Sequence, residues 1–222
     1  MVVTSSVAAI LYGRDGEIDE NFSFNEDHWT DVNHKHTSAY AKSKTYAEKA
    51  AWEFIENDSS GMELSVVNPA MVFGPVLEED YGTSVGVILE LMSGKYPVVP
   101  NMDMGVVDVR DVAAAHILAM QNPSSNGERF ALSEKDLWYK DVAKLLRKNG
   151  FDKAPKINLP KWTAKFLANF SNEIKFALPN IGRVRSVKNT SKAKDVLGWN
   201  PRSAEESILE IANQIKDMGL IK

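Results

Sequence analysis

The stretch MELSVVNPAMVFGP, residues 62–75, is apolar and β-branched without alternation, and it is punctuated by Asn68-Pro69 and Gly74-Pro75. A strand with one face in water alternates polar and apolar residues; one that does not is covered on both faces, as in a parallel sheet flanked by helices. Parallel neighbours need a crossover. One stands directly upstream, because TSAYAKSKTYAEKAAWEF (37–54) reads as a helix with Tyr40, Lys44, Ala47, Ala51 and Ile55 along one narrow face. Thr37 or Ser38 can cap it. Val2-Val3-Thr4 reads as a strand before it, so a strand, helix, strand unit is expected at the head of an α/β fold.

Between the first strand and the helix, residues 13–36 are rich in Asp, Glu, Asn and Gly without period and read as a surface loop. Connections of that length are usually functional or disordered, which makes this one a candidate wall of a site. Downstream, the pattern predicts a helix at 84–93, a short strand at GVVDV (105–109) and a helix at 110–121 with Val112, Ala115 and Leu118-Ala119 inward. Beyond Pro123 the alternation changes. A strand near ERFAL, a helix at about 137–149, a Pro-flanked helix at about 160–170 and two last helices split by GWNPRS form a second, mostly helical region.

With 222 residues, 44% hydrophobic and 25% charged, the chain can bury a substantial core. A net charge of -4 supplies no basic footprint, so nucleic acid is not an expected partner. The absence of cysteine excludes disulfides, thiolate metal sites and cysteine nucleophiles, and is what a reducing compartment permits, so a cytoplasmic location is expected. The longest apolar stretches fall well short of the roughly 20 residues that span a bilayer, and no membrane association is expected.

Tyr40 and Lys44 carry the first chemical signal. Residues four apart on a helix are neighbours, so an ammonium at Lys44 would stabilise a phenolate at Tyr40 and make the phenol a usable acid near neutral pH. By spacing alone, a solvated Tyr beside a solvated Lys fits as well. Context favours the chemical reading: TSSVAAI (4–10) sets hydroxyls at the end of a strand, where α/β sheets place their ligand sites, and Ser6 becomes a natural third member.

TSSVAAI, NEDHWTD, AYAKSKTYAEKAAWEF, VNPAMVFGP, VVDVRDVAAAH, GERFALSE and SKAKDVLGWNPRS together resemble the extended short-chain dehydrogenase/reductase family, in its order and approximate spacing. The likeness is greatest to its carbonyl reductases, those related to dihydroflavonol reductase, cinnamoyl-CoA reductase and the yeast methylglyoxal reductases. The resemblance implies that Tyr40 protonates the substrate carbonyl oxygen and Ser6 hydrogen-bonds it, with Ser5 the alternative one residue away. It implies that Tyr40 and Lys44 contact the cofactor, Lys44 holding the nicotinamide ribose, and that Pro69, Ala70 and Val72 line the nicotinamide pocket. The implied cofactor is NADP(H), with NAD(H) also admitted, and the implied partner a small carbonyl compound.

The family opens on a glycine-rich strand-turn-helix that cradles the cofactor pyrophosphate, and the sequence holds no such segment. The expected fold is therefore the C-terminal portion of a Rossmann-type doubly wound parallel sheet with a smaller, mostly helical substrate lobe. Residues 1–122 would form the latter half of the dinucleotide domain and 123–222 the lobe. A chain so built would be inactive alone and would expose its first strand, inviting a homodimer. A sugar-nucleotide epimerase or dehydratase shares Tyr, Lys and Ser, but the NEDHW loop and the EKAAWEF helix argue against it; a non-catalytic fragment is the other alternative. His34 and His36 lack a third ligand at helical spacing and read as loop residues, with no metal expected. His116 reads as a packed or partly exposed helix residue, and Asp108, Arg110 and Asp111 as ion pairs and a helix cap. Trp29 and Trp138 read as core or lid residues.

Overall fold

The valine pairs at 2–3 and 66–67 lie side by side. Strand β1 (Val2–Thr4) runs parallel to β2 (Ser65–Pro69), with Val3 opposite Val66 and Thr4 opposite Val67. All five residues of β2 are buried, which is why its sequence does not alternate. On the other side of β2 runs β6 (Arg129–Leu132), again parallel, from Val66 opposite Arg129 to Pro69 opposite Leu132. The crossover between β1 and β2 is helix α1 (Ala39–Glu56), whose start is capped by Ser38, its hydroxyl accepting the Ala41 N–H at 3.1 Å.

The computed structural model describes residues 1–14, 23–77, 82–170, 178, 181–182, 187 and 190–221. These gather into two units whose segments interleave along the chain. The first unit takes its residues from Met1–Ala70, Arg110–Glu134 and Ser186–Pro201, and holds the β1-β2-β6 sheet, α1, α3 (Val109–Gln121) from Arg110 onward, and α6 (Ser191–Leu197). The second takes its residues from Met71–Val109, Lys135–Arg185 and Arg202–Lys222.

In the second unit, β3 (Met71–Phe73) pairs in parallel with β5 (Asp103–Asp108), and β5 pairs antiparallel with β7 (Lys135–Trp138). A separate parallel pair joins β4 (Val98–Pro100) to β8 (Ile157–Leu159). Helices α2 (Thr83–Ser93), α4 (Tyr139–Lys148) and α7 (Ala204–Asp217) bury Ile88, Met92, Leu146, Ile208 and Ile211 with Phe73 and Val106 of the sheet. A shorter helix, α5 (Lys161–Leu167), buries Ala164 beside Leu159. Gly74 is obligatory: at φ +120°, an added Cβ would meet Val109 at 3.0 Å and the Asp108 carboxylate at 3.1 Å. That carboxylate is buried and accepts the Ser207 hydroxyl at 2.6 Å.

Three expectations change. The second half of the 13–36 segment is a surface loop tied into the core: Phe24 is buried with Ile10 and Leu11, and the Thr30 and Asp31 N–H groups bond the Ala9 and Tyr12 carbonyls. Residues 15–22 lie outside the described residues. Secondly, α1 packs through Ala41, Thr45 and Glu48, one position around from the expected face, so Tyr40 is exposed. Thirdly, residues 135–138, read partly as helix, are extended because they pair with β5. Among the described residues no helix is long and apolar enough to cross a membrane.

Candidate active site

Because β1 and β2 are parallel, the helix joining them must run back against them, and its first turn lies at the carboxyl ends of the strands. That edge is where open α/β sheets bind ligands. Tyr40 and Lys44 occupy the first turns of α1, while Ser6 and Pro69 stand at the ends of β1 and β2. The first unit therefore brings Ser6, Tyr40, Lys44, Pro69 and Ala70 to one edge. Val72 belongs to the second unit, in β3, opposite Val107 of β5.

Ser6 is extended at φ -164° and caps the single 3₁₀ turn Val7–Ala9; its hydroxyl accepts the Ala8 N–H at 3.1 Å and lies 3.5 Å from the Pro69 carbonyl oxygen. Helix α1 packs against this turn. The Tyr40 side chain is 58% exposed, and the Lys44 ammonium lies 6.0 Å from the centre of its ring. Among the described residues, neither the Tyr40 hydroxyl nor the Lys44 ammonium forms a hydrogen bond or ion pair. Both remain available to a ligand.

Ser5 is differently engaged. Its hydroxyl donates to Glu48 Oε2 at 2.5 Å, and its N–H to the Val67 carbonyl at 2.8 Å. The same carboxylate oxygen accepts from Asn68 Nδ2 at 2.7 Å, and Oε1 accepts from Arg129 Nε at 2.5 Å. The Arg129 guanidinium also donates to the Glu26 and His28 carbonyls and lies 3.9 Å above the Trp29 ring. Glu26 Oε1 in turn accepts the Ala131 N–H of β6. This polar core escaped the sequence reading. The signal the sequence carried was an arginine heading an otherwise apolar strand, which is tolerated in a core only when its charge is paired; the acidic partner on the 41–45–48 line of α1 emerged only with the fold.

His116 is the helix residue expected, bonded to Thr4 Oγ1 at 2.7 Å and the Val112 carbonyl at 2.8 Å. Trp138 ends β7 as the residue before α4, and the Trp199 indole donates to the Asp111 carbonyl at 2.9 Å. A groove of about 470 Å³ opens at the far end of α1, lined by Trp29, Lys49, Trp52, Glu56 and Arg129 among others, and it includes none of the predicted site residues. Its place at the start of β6, opposite the carboxyl edge, separates it from Ser6 and Pro69.

Residues 1–132 match the model of the NAD dependent epimerase/dehydratase family. Among curated proteins, the chain is 33% identical to the NADPH-dependent methylglyoxal reductase of Saccharomyces cerevisiae over 97% of the chain and 63% of that protein. It is 37% identical to a cinnamoyl-CoA reductase of Medicago truncatula over 72% of the chain and 47% of that protein. The chain thus spans 47% and 63% of the lengths of these two relatives. The crystal structure of the yeast methylglyoxal/isovaleraldehyde reductase with NADPH superposes with a TM-score of 0.72 at 31% identity, covering 99% of the chain and 64% of that structure. By the family match over residues 1–132 and the identity along nearly its whole length, the chain belongs to the NAD-dependent epimerase/dehydratase family of extended short-chain dehydrogenases/reductases.

Proposed function

We propose that the protein takes part in the reversible reduction of a small aldehyde or ketone to an alcohol with NADP(H), and that Tyr40 is its proton donor. The observation that supports this most is the placing of a phenol and an ammonium, one turn apart and unpaired among the described residues, at the edge where Ser6 caps the turn after β1. The chain is also similar to relatives named as NADPH-dependent methylglyoxal reductase and cinnamoyl-CoA reductase. NAD(H) in place of NADP(H) is decided by the same assay.

Tyr40, Lys44, Pro69 and Ala70 fit the nicotinamide end of such a cofactor, being exposed or at the open ends of strands. When bound, the nicotinamide supplies a hydride to the carbonyl carbon. As that carbon gains the hydride, the C=O π electrons collect on oxygen, and Tyr40 gives its phenolic proton to that oxygen, completing the alcohol. The Ser6 hydroxyl turns to donate a hydrogen bond to the same oxygen and stabilises the charge that develops there. Lys44 holds a ribose hydroxyl and, as a cation one turn away, stabilises the phenolate left on Tyr40.

The test is turnover of short aldehydes and ketones with NADPH and, separately, with NADH, by the chain and by the chain joined to a glycine-rich cofactor segment from the yeast relative. In the form that turns over, Tyr40→Phe is expected to lower kcat at least about 10²-fold, as loss of a general acid does, with the thermal midpoint unchanged. Retained turnover in Tyr40→Phe would refute the role, and epimerised sugar nucleotide as the product would replace reduction by the rival chemistry.

A further inference from the structure

Among the described residues, the Glu48 carboxylate lies between the three segments that carry the candidate site. Glu48 is 1% exposed. Its three partners are Ser5, Asn68 and Arg129, at 2.5, 2.7 and 2.5 Å. Ser5 immediately precedes Ser6, Asn68 immediately precedes Pro69, and Glu48 follows Lys44 by one helical turn and Tyr40 by two. Asn68 Nδ2 also donates to the Ser6 carbonyl at 3.2 Å, so the contact extends to the candidate serine itself.

The chemistry is specific to a carboxylate. An ionised carboxylate only accepts, and here a hydroxyl, an amide and a guanidinium converge on it as donors. Arg129 cannot turn away, because two carbonyls and the Trp29 ring hold its other side. The helix is thereby tied to the end of β1, to the end of β2 and to the start of β6 at one point. The rest of its packed line, Ala41 and Thr45, is small and would allow sliding.

We propose that Glu48 is a positioning residue, setting α1 against the ends of β1 and β2 so that the Tyr40 and Ser6 hydroxyls converge on one carbonyl oxygen. It touches neither substrate nor cofactor. The convergence rests on the proposed reductase chemistry; the setting of the helix does not. Misplacement by about 1 Å at a distance from the reacting atoms is enough to cost on the order of 10²-fold in rate.

The test compares Glu48→Gln with Leu197→Ala, a core truncation in α6 of the same unit, each studied at the same interval below its own thermal midpoint. Glutamine keeps the size but offers one acceptor and an N–H₂ where three donors meet. Hydrogen exchange by NMR on the 222-residue chain follows two amides, that of Ala8, bonded to the Ser6 hydroxyl, and that of Ala70, bonded to the Leu132 carbonyl. Both are expected to exchange at least about 10-fold faster in Glu48→Gln than in Leu197→Ala, with Glu48→Asp in between. Equal exchange in the two variants would overturn the setting of the helix. In the turnover assay, Glu48→Gln is expected to lose at least about 10-fold in kcat with KM little changed, while Leu197→Ala keeps both. Faster exchange with kcat intact would overturn the catalytic consequence of Glu48 and leave the reductase reading standing. If Tyr40→Phe keeps its activity, that reading fails, and the exchange result still decides what Glu48 holds.

Discussion

Ser5 and Ser6 are adjacent hydroxyls with separate partners. Ser5 donates to a buried carboxylate, while the Ser6 hydroxyl, among the described residues, bonds only backbone groups and can turn toward a ligand. A hydrogen bond to a charged group contributes about 1.5–3 kcal/mol, so Ser5→Ala is expected to lower unfolding free energy by about that amount in urea titrations. Ser6→Ala should cost about 1 kcal/mol or less, since it loses only a short turn's cap. In turnover the order reverses, Ser6→Ala being the more damaging. Lys44 yields a second separation, because it is held by no described residue: Lys44→Met should leave the thermal midpoint in place and weaken cofactor binding several-fold in a titration. An unchanged dissociation constant would return Lys44 to the solvated surface.

At the scale of elements, α1 is fastened by charge where most helices are fastened by apolar side chains. Removing one partner of a buried ion pair leaves the other charged in a medium that cannot solvate it, at a cost of about 3–5 kcal/mol. Arg129→Met is therefore expected to destabilise the first unit by about that amount, because buried Glu48 loses its counter-charge, and Glu48→Leu in the same chain should recover part of the loss. The second unit has a pair of the opposite kind. Lys135 of β7 donates to Glu205 of α7 at 2.6 Å across an exposed surface, and this bond, ahead of the smaller charge attraction, holds the Glu205 carboxyl below its usual 4.5. A depressed folded value stabilises the fold above the unfolded value, and that stabilisation fades as the pH falls through the folded one. Exposed pairs contribute about 0–1 kcal/mol. Glu205→Gln should therefore cost less than about 1 kcal/mol at pH 7 and progressively nothing as the pH falls below 4.5, which urea titrations across that range would show.

At the scale of the whole molecule, phosphate recognition sets the largest expectation. The 222 residues contain no glycine-rich strand-turn-helix, while Tyr40, Lys44 and Pro69 would meet only the nicotinamide end. Calorimetric titration of the chain with NADPH is expected to show no binding tighter than about 1 mM, a free energy near 4 kcal/mol. Micromolar binding would mean that residues read as connections grip the phosphates. The strand order β1-β2-β6 leaves β1 at an edge among the described strands, with backbone groups open to pairing. Sedimentation of the chain should accordingly show self-association that rises with concentration.

Local order was legible from the residues. The unalternating run at 65–73, the helix capped at Ser38, and the strand near ERFAL follow from periodicity and capping, which act over a few residues and leave their mark in any short window. Tyr40 and Lys44 were legible for the same reason, since helical spacing alone makes them neighbours. What the tertiary structure decided lies between distant residues. Glu48 and Arg129 meet across 81 positions, and Ser5 meets Glu48 across 43. Those contacts set α1 one position around from the expected face, buried a charge in its packed line, and gave two neighbouring serines different partners. The interleaving of the two units, with residues 71–109 in one and 110–134 in the other, has the same origin. Local propensity limits what each segment can be, but its partners are chosen by burial and charge pairing over the folded whole, and no window of sequence contains both sides of such a contact.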